Sequence, residues 1–380
     1  MAVTVQAMDV YRVDVPMRRF RHAAADRDQA QSIVVCVKLS DGRCGWGQTL
    51  PRPYVTGESI DSVQADLREV IWPAMAGCGP VAALSRWPGR AGERRIPAAR
   101  CAAELAIIDL IGMEAAMGPA PADGGSLRRC RVSGVIGSSE PDRTARMVRL
   151  MRWAGLRDFK LKMGLDEALD QANLRATVDQ LGRGLRRGRY TLRVDANGDW
   201  AEKPLDRIRA LDGTGVCVVE QPKFCSATEL VELARVSPLP LMADESLLDL
   251  DDARVLASET RVWWNIRISK NGGLGPALEL ARLAHQRGVG VSIGCMVGES
   301  GLLSAAQRRL LEYCPQPRFV EGNYGRLLLR EDLTTTCPRW GYGGRLSRLR
   351  GPGLGVRMDV ARLARLGQCV EQLSVEHVSR

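Results

Sequence analysis

The segment Phe159-Lys160-Leu161-Lys162-Met163-Gly164 places two lysines two residues apart in a short apolar run. The chain has six lysines against forty-eight arginines, and two of the six fall here. A strand has period two, so Lys160 and Lys162 point to the same side. Two ammonium groups side by side cost energy unless something anionic lies opposite. Three acids end later apolar runs. Asp195 follows Leu192-Arg193-Val194, Glu220 follows Val216-Cys217-Val218-Val219, and Asp244 follows Leu239-Pro240-Leu241-Met242-Ala243; the spacings are 25 and 24 residues. Three carboxylates with no His or Cys at matching positions specify a hard cation, and Mg²⁺ is the default. Each acid alone reads equally well as a helix N-cap after its strand. All three at one phase, beside a lysine pair, favour a metal-assisted site for an anionic substrate.

The elements that position these residues fall into two styles. Residues 3 to 50 alternate apolar and polar in strand fashion: Val3–Val13, Ser32–Leu39, then an Asp41-Gly42 turn and Cys44–Leu50. This predicts an antiparallel meander. Residues 57 to 75 and 98 to 118 have helical periodicity, the second with a stripe of Ala102, Leu105, Ala106, Ile108 and Ile111. From about 131, apolar strand runs alternate with amphipathic helical segments. The strand candidates are Arg131–Val135, Phe159–Met163, Leu192–Asp195, Val216–Glu220, Leu239–Asp244, Val262–Ile268, Val289–Ile293 and Arg318–Glu321. Near-continuous apolar strands between helices predict a parallel sheet covered on both faces, and this many units predicts a closed (β/α) barrel. A doubly wound sheet would need Gly-x-Gly-x-x-Gly after its first strand, and the sequence lacks it there. The expected fold class is α/β: a modified TIM barrel with an N-terminal α+β capping domain completed by the C-terminal segment. The expected divisions are 1–125 for the cap, 126–328 for the barrel and 329–380 for the returning segment.

At 380 residues and 45% hydrophobic, the chain is long enough for two domains with a sizeable core. No apolar run approaches the roughly 18 to 20 residues of a membrane span. Met1 to Val10 has no basic or apolar leader pattern. Eleven scattered cysteines without a Cys-x-x-Cys pair point to reduced thiols in a cytoplasm rather than a disulfide frame. The net charge of +10 raises nucleic acid as a partner, but the arginines form no block of like charge and no interleaving with aromatics. The expected partner is a small carboxylic-acid substrate, with neither nucleic acid nor membrane.

Five ordered motifs carry a resemblance across nearly the whole chain. Lys160-Leu161-Lys162, Asp195-Ala196-Asn197-Gly198, Glu220-Gln221-Pro222, Ala243-Asp244-Glu245-Ser246 and Asn265 through Gly273 are similar to those of the enolase superfamily, in its muconate lactonizing enzyme subgroup. Gly45-Trp46-Gly47, the helix through Ala103-Glu104-Leu105 and the late Gly351-Pro352-Gly353-Leu354-Gly355 fit the same resemblance. It implies Mg²⁺ held by Asp195, Glu220 and Asp244. It also implies a base that removes the proton alpha to a substrate carboxylate, giving an enediolate. Lys162 would be that base, with positive neighbours favouring its neutral form, and Lys160 would be a fixed charge on the substrate carboxylate. The resemblance also implies a homo-oligomer.

One position departs from the subgroup. Where a second lysine is usual on the sixth strand, this chain has Arg267. Arginine stays protonated, so it is a poor base, though it can stabilise an enediolate or grip a carboxylate. One-base chemistry follows: syn dehydration or cycloisomerisation with Lys162 on one face. The alternatives are a racemase or epimerase of amino-acid derivatives or dipeptides, and a catalytically silent relative that binds a carboxylate. Lys270, three residues past Arg267, points the other way in a regular strand. The seventh strand carries no histidine, against the His-using mandelate racemase subgroup. Arg18-Arg19-Phe20-Arg21-His22 and Pro51 to Gly57 resemble two loops that cover the site. Asn197, Glu299, Lys270, Tyr54 and His22 are the candidate substrate contacts.

Overall fold

The computed structural model describes residues 2–22, 25–121 and 125–378. The N-terminal strands β1 (Val5–His22), β2 (Ala25–Leu39) and β3 (Cys44–Thr49) form an antiparallel sheet. From Ser32 to Val37, β2 is buried on both sides. Ile33, Val35 and Val37 pack with helix α1 (Ile60–Asp66) and helix α2 (Pro97–Ile111), whereas Ala30 and Val34 face the core of the second layer. The helical pattern expected to run to residue 118 breaks at Gly112, whose φ of 83° is outside helical space.

The second layer is parallel. Strands β4 (Gly134–Ile136), β5 (Asp158–Lys162), β6 (Thr191–Asp195), β7 (Val216–Glu220), β8 (Leu241–Ala243), β9 (Val262–Ile266), β10 (Val291–Ile293) and β11 (Phe319–Val320) pair in sequence order. A parallel bridge from Val132 to Val320, with Ser133 N–H donating to Val320 at 2.8 Å, brings the first and last strands together. The covering helices include α3 (Pro141–Trp153), α4 (Glu167–Arg186), α5 (Ala227–Val236), α6 (Leu274–Gln286) and α7 (Gly301–Tyr313). This is the modified TIM barrel that the repeating pattern predicts. The C-terminal strand β12 (Gly367–Ser374) returns to pair antiparallel with β1, completing the first layer from the far end of the chain. Among the described residues no helix is long and apolar enough to cross a membrane.

Strand register fixes the chemistry. Lys162 lies opposite Asp195, and Asp195 opposite Glu220, so three strands present them side by side at their C-terminal ends. Met242 pairs with Glu220, which puts Asp244 just beyond the same rim. Leu161, between the lysines, is fully buried in the barrel core.

The segment Arg18 to His22 differs from expectation. It is the distal part of β1, not a loop: Phe20 pairs with Arg27, Arg21 with Asp26 and His22 with Ala25. The register shifts between Pro16 and Phe20 and pairing resumes at Phe20, so the two strands extend as a long hairpin arm. The side chain of His22 lies outside the described residues, and only its backbone position at the end of β1 is given.

Candidate functional site

Lys160 sits in the barrel mouth, 1% exposed, among three carboxylates. Its Nζ is 2.6 Å from Glu321, 3.1 Å from Asp195 and 3.2 Å from Glu220. Burial works against its charge, but Glu220, Glu321 and Asp195 outweigh burial and raise it above the ordinary lysine range. It is therefore a fixed cation. Glu321 holds it from the end of β11 and also pairs with Arg193 at 2.8 Å. Arg193 is wholly buried inside the barrel, donates to Ser133 at 3.1 Å and stacks 4.1 Å over Phe319. Burial opposes the charge of Glu321, yet Lys160 and Arg193 hold its carboxyl down at about 2.

Lys162 reaches Asp195 Oδ2 at 2.6 Å and Asn197 Oδ1 at 2.8 Å. Asn197 occupies left-handed backbone space (φ 48°), and its N–H donates to Asp195 Oδ1 at 3.0 Å. This turn aims the amide oxygen back at the lysine. The sequence reading surrounded Lys162 with cations; the structure gives it two oxygen acceptors. Burial opposes the charge of Asp195, but Lys162 and Lys160 hold its carboxyl well below the usual range.

Glu220 accepts from Asn265 Nδ2 at 2.7 Å. Burial, and then the charge of Asp195, push its carboxyl up. Asp244 is gripped from two sides. Arg267 Nη2 donates to Oδ2 in a very short contact, and Lys270 Nζ donates to Oδ1 at 3.0 Å. Lys270 also donates to the carbonyls of Asp244 (2.6 Å) and Asn265 (2.8 Å) and is fully buried. The chain turns after β9, and this carries Lys270 beneath Asp244. Gln221, itself at φ 35°, fastens the next loop by accepting the N–H groups of Asp244 (2.9 Å) and Ser246 (3.2 Å).

Three carboxylates in this pocket suit a hard divalent cation by chemical type, because all are buried, all offer oxygen and no soft ligand joins them. A fourth observation points the same way. Both carboxylate oxygens of Glu245 are buried without a hydrogen-bond partner, and burial, then Asp195, push the group up to about 7. The oxygens of Asp195, Glu220 and Asp244, however, are closed by lysine and arginine. Among the described residues no three acidic, His or Cys side chains stand together as a metal-holding group.

A cavity of about 930 Å³ opens above the strand ends. Lys160, Lys162, Asn197 and Arg267 form its floor; Met147, Met151, Leu327 and Leu328 give an apolar wall; Arg18, Arg21, Arg143 and Arg330 lie around it. Tyr54 lines it from a short helical turn, Pro53–Thr56, whereas Arg52 turns inward and donates to the carbonyls of Gln31, Pro51 and Val297. Glu299 also borders the cavity. One of its oxygens closes its own turn by accepting Met296 N–H at 2.7 Å, and burial pushes the group up to about 7. Lys270 is not among the residues lining this space.

Sequence reasoning passed over Glu321, Arg193 and Gln221 as site residues. Glu321 ends the last strand run at the same phase as the three acids before it, so the signal was present. Arg193 stands two residues before Asp195, so strand period two already placed it on the same face as that acid.

The family described as enolase C-terminal domain-like matches residues 143–362. The chain is 29% identical over 350 residues to L-Lys-D/L-Arg epimerase of Methylococcus capsulatus, covering 89% of this chain and 94% of that protein. It is also 29% identical over 369 residues to muconate cycloisomerase 1 of Pseudomonas putida, covering 93% of this chain and 96% of that one. The crystal structure of muconate lactonizing enzyme from Pseudomonas fluorescens, complexed with muconolactone, superposes with a TM-score of 0.84 at 26% identity, over 97% of this chain and all (100%) of that one.

Proposed function

The chain belongs to the enolase superfamily, and from that premise we propose that it abstracts the proton alpha to the carboxylate of a small acid, from one face only, with Lys162 as the base. One observation carries the one-face reading. Lys162 borders the cavity and pairs with a single carboxylate, Asp195, while each other candidate base is barred by its surroundings or its chemistry. Lys160 is locked among three carboxylates, Lys270 lies beneath Asp244 away from the cavity, and Arg267 does not give up a proton.

In this reading Asn197 orients Lys162 while the substrate carboxylate lies near Lys160 and Arg267. Negative charge that moves onto the substrate oxygens as the C–H bond breaks meets these fixed cations, which need no reorganisation. Asp195, Glu220 and Asp244 would hold a divalent ion, Mg²⁺ by donor type, and such an ion supplies Lewis-acid charge to a carboxylate oxygen. The apolar wall keeps bulk water from the enediolate and strengthens every charge contact inside. Loss of a beta leaving group, or ring closure or opening, then completes dehydration or cycloisomerisation.

A second reading, epimerisation of an amino-acid derivative or dipeptide, has support in the cavity. About 930 Å³ with an apolar wall and arginines around it exceeds the needs of a small diacid and suits a longer acyl or peptidyl chain. The test is incubation in D₂O with Mg²⁺ and a panel of sugar acids, N-acyl amino acids, dipeptides and muconates, read by NMR. Deuterium entering one face, and not at all in Lys162→Ala, is the expected result. Deuterium at both faces in the wild-type protein overturns the one-base reading. Arg267→Lys is expected to gain racemisation while keeping the original reaction.

A further inference from the structure

The charge between Glu220 and Asp244 is already supplied by the chain. Arg267 Nη2 contacts Asp244 Oδ2 and lies 3.7 Å from Glu220 Oε1, so one guanidinium spans two of the three carboxylates assigned to metal. The remaining oxygens are also engaged: Asp195 by Lys162, Lys160 and the Asn197 amide, Glu220 by Lys160 and Asn265, and Asp244 by Lys270. A lysine at this position would offer a compact point charge; arginine offers a planar fork long enough to bridge two acids.

The guanidinium is held there mainly by charge. Its Nε is buried without a partner, and Nη1 meets only the sulfur of Met296 at 3.5 Å. The same side chain borders the open cavity. Its stem passes beside Gly294, where even a methyl group would come within 3.1 Å of Arg267 Cγ. Arg267 thus has a head held by two carboxylates on one side, with open space on the other.

We propose that Arg267 is a built-in counter-cation that competes with the divalent ion for Glu220 and Asp244, so that metal entry requires the guanidinium to swing toward the cavity. This rests on the metal reading given above. It makes the metal site of this chain weaker than one with an uncharged residue at 267, and it delivers a cation to the substrate side when metal is bound.

The test is calorimetric titration of Mg²⁺, and of Mn²⁺ followed by electron paramagnetic resonance, into the wild-type chain, Arg267→Met and Arg267→Lys without substrate. Far-ultraviolet circular dichroism checks folding, and the lysine variant serves if the methionine variant is unfolded. Removing a unit charge a few ångströms from the ion is expected to tighten binding by at least about tenfold in Arg267→Met, with Arg267→Lys between it and the wild type. Metal should also raise the melting temperature more in Arg267→Met than in the wild type. Equal affinity in the wild type and the folded variants overturns the competition while leaving the metal site intact. Binding in none of the folded proteins overturns the metal reading and this inference together.

Discussion

Replacing Glu104 tests how the two layers hold each other. Glu104 lies on α2, 4% exposed, and its carboxylate caps a helix of the other layer. Its oxygens accept the N–H groups of Leu274 at 2.5 Å and Gly275 at 3.2 Å, the first two residues of α6. The preceding Gly273 offers no side-chain cap, and at φ 117° a Cβ there would come within 1.7 Å of a Glu104 oxygen. A carboxylate at a helix N-terminus satisfies donors that have no partner within the helix and meets the positive end of its dipole. Glu104→Leu leaves two buried N–H groups unpaired, at about 1–3 kcal/mol each, for an expected loss of about 2–6 kcal/mol. Glu104→Gln keeps one acceptor oxygen and is expected to lose about half of that. Burial pushes the carboxyl up from its ordinary 4.5 to about 7, with Arg100 and the two amides pulling the other way. The folded state therefore binds more protons than the unfolded chain between those values. The contribution of Glu104 to stability is complete below about 4.5 and falls as pH rises to about 7, by at most about 3 kcal/mol. Urea unfolding at pH 5 and pH 8 reads both effects, because glutamine removes the pH-dependent part. Wild type should exceed Glu104→Gln by more at pH 5 than at pH 8. A Glu104→Leu variant as stable as the wild type, or a wild-type advantage that grows toward pH 8, refutes the reasoning.

Other substitutions probe the site itself. Gly294→Ala builds a methyl group 2.2 Å from Asn265 Oδ1 in a closed pocket, and thermal denaturation should show a loss of about 1–3 kcal/mol. Lys270→Met removes the donor to three buried oxygens, two of them on Asp244; burial, and then Arg267, already press the lysine toward its neutral form. A loss of about 3–5 kcal/mol in urea unfolding is expected, and any alpha-proton exchange that survives should keep the same face. Glu321→Gln takes the shared counter-charge from Lys160 and Arg193, which calorimetry should register as a drop of roughly 3 kcal/mol.

The barrel was legible because the physics that builds it is local. Phe159 to Met163 alternates with period two, and spacings of 25 and 24 residues bring each acid back to the same phase after one strand and one helix. The C-terminal return to the first sheet was legible from the loss of that alternation. What the sequence hid was the partner of each charge. Lys162 reads as a base among cations, yet strand register sets it against Asp195, and the left-handed turn at Asn197 adds a second oxygen. Arg193 shares the face of Asp195 by period two, but its partners lie far along the chain, where Glu321, Ser133 and the face of Phe319 meet it inside the barrel. Arg18 to His22 reads as a loop from its resemblance to a loop that covers the site, although its backbone rejoins the strand ladder at Phe20. For the lysine and the arginine, pairing across long sequence separations decides the outcome, and periodicity does not carry it.

The acids and cations of the barrel mouth constrain one another as a set. Asp195, Glu220, Asp244, Glu245 and Glu321 face Lys160, Lys162, Arg193, Arg267 and Lys270, and nearly all are buried. An unpaired buried charge is costly, so each paired residue is held in place by the requirement that its partner be neutralised, while Glu245 stands without a hydrogen-bond partner. Arginine in place of lysine at 267 leaves the sum of charges unchanged but alters its distribution, because the longer side chain reaches past its own strand to bridge Glu220 and Asp244. A substitution that looks conservative by charge therefore changes two properties at once. Under the proposed function it leaves one face of the cavity without a proton acceptor, and under the competition proposed above it sets a fixed cation against the divalent ion. The two consequences separate experimentally, since stereochemistry of exchange reports the first and metal affinity without substrate reports the second.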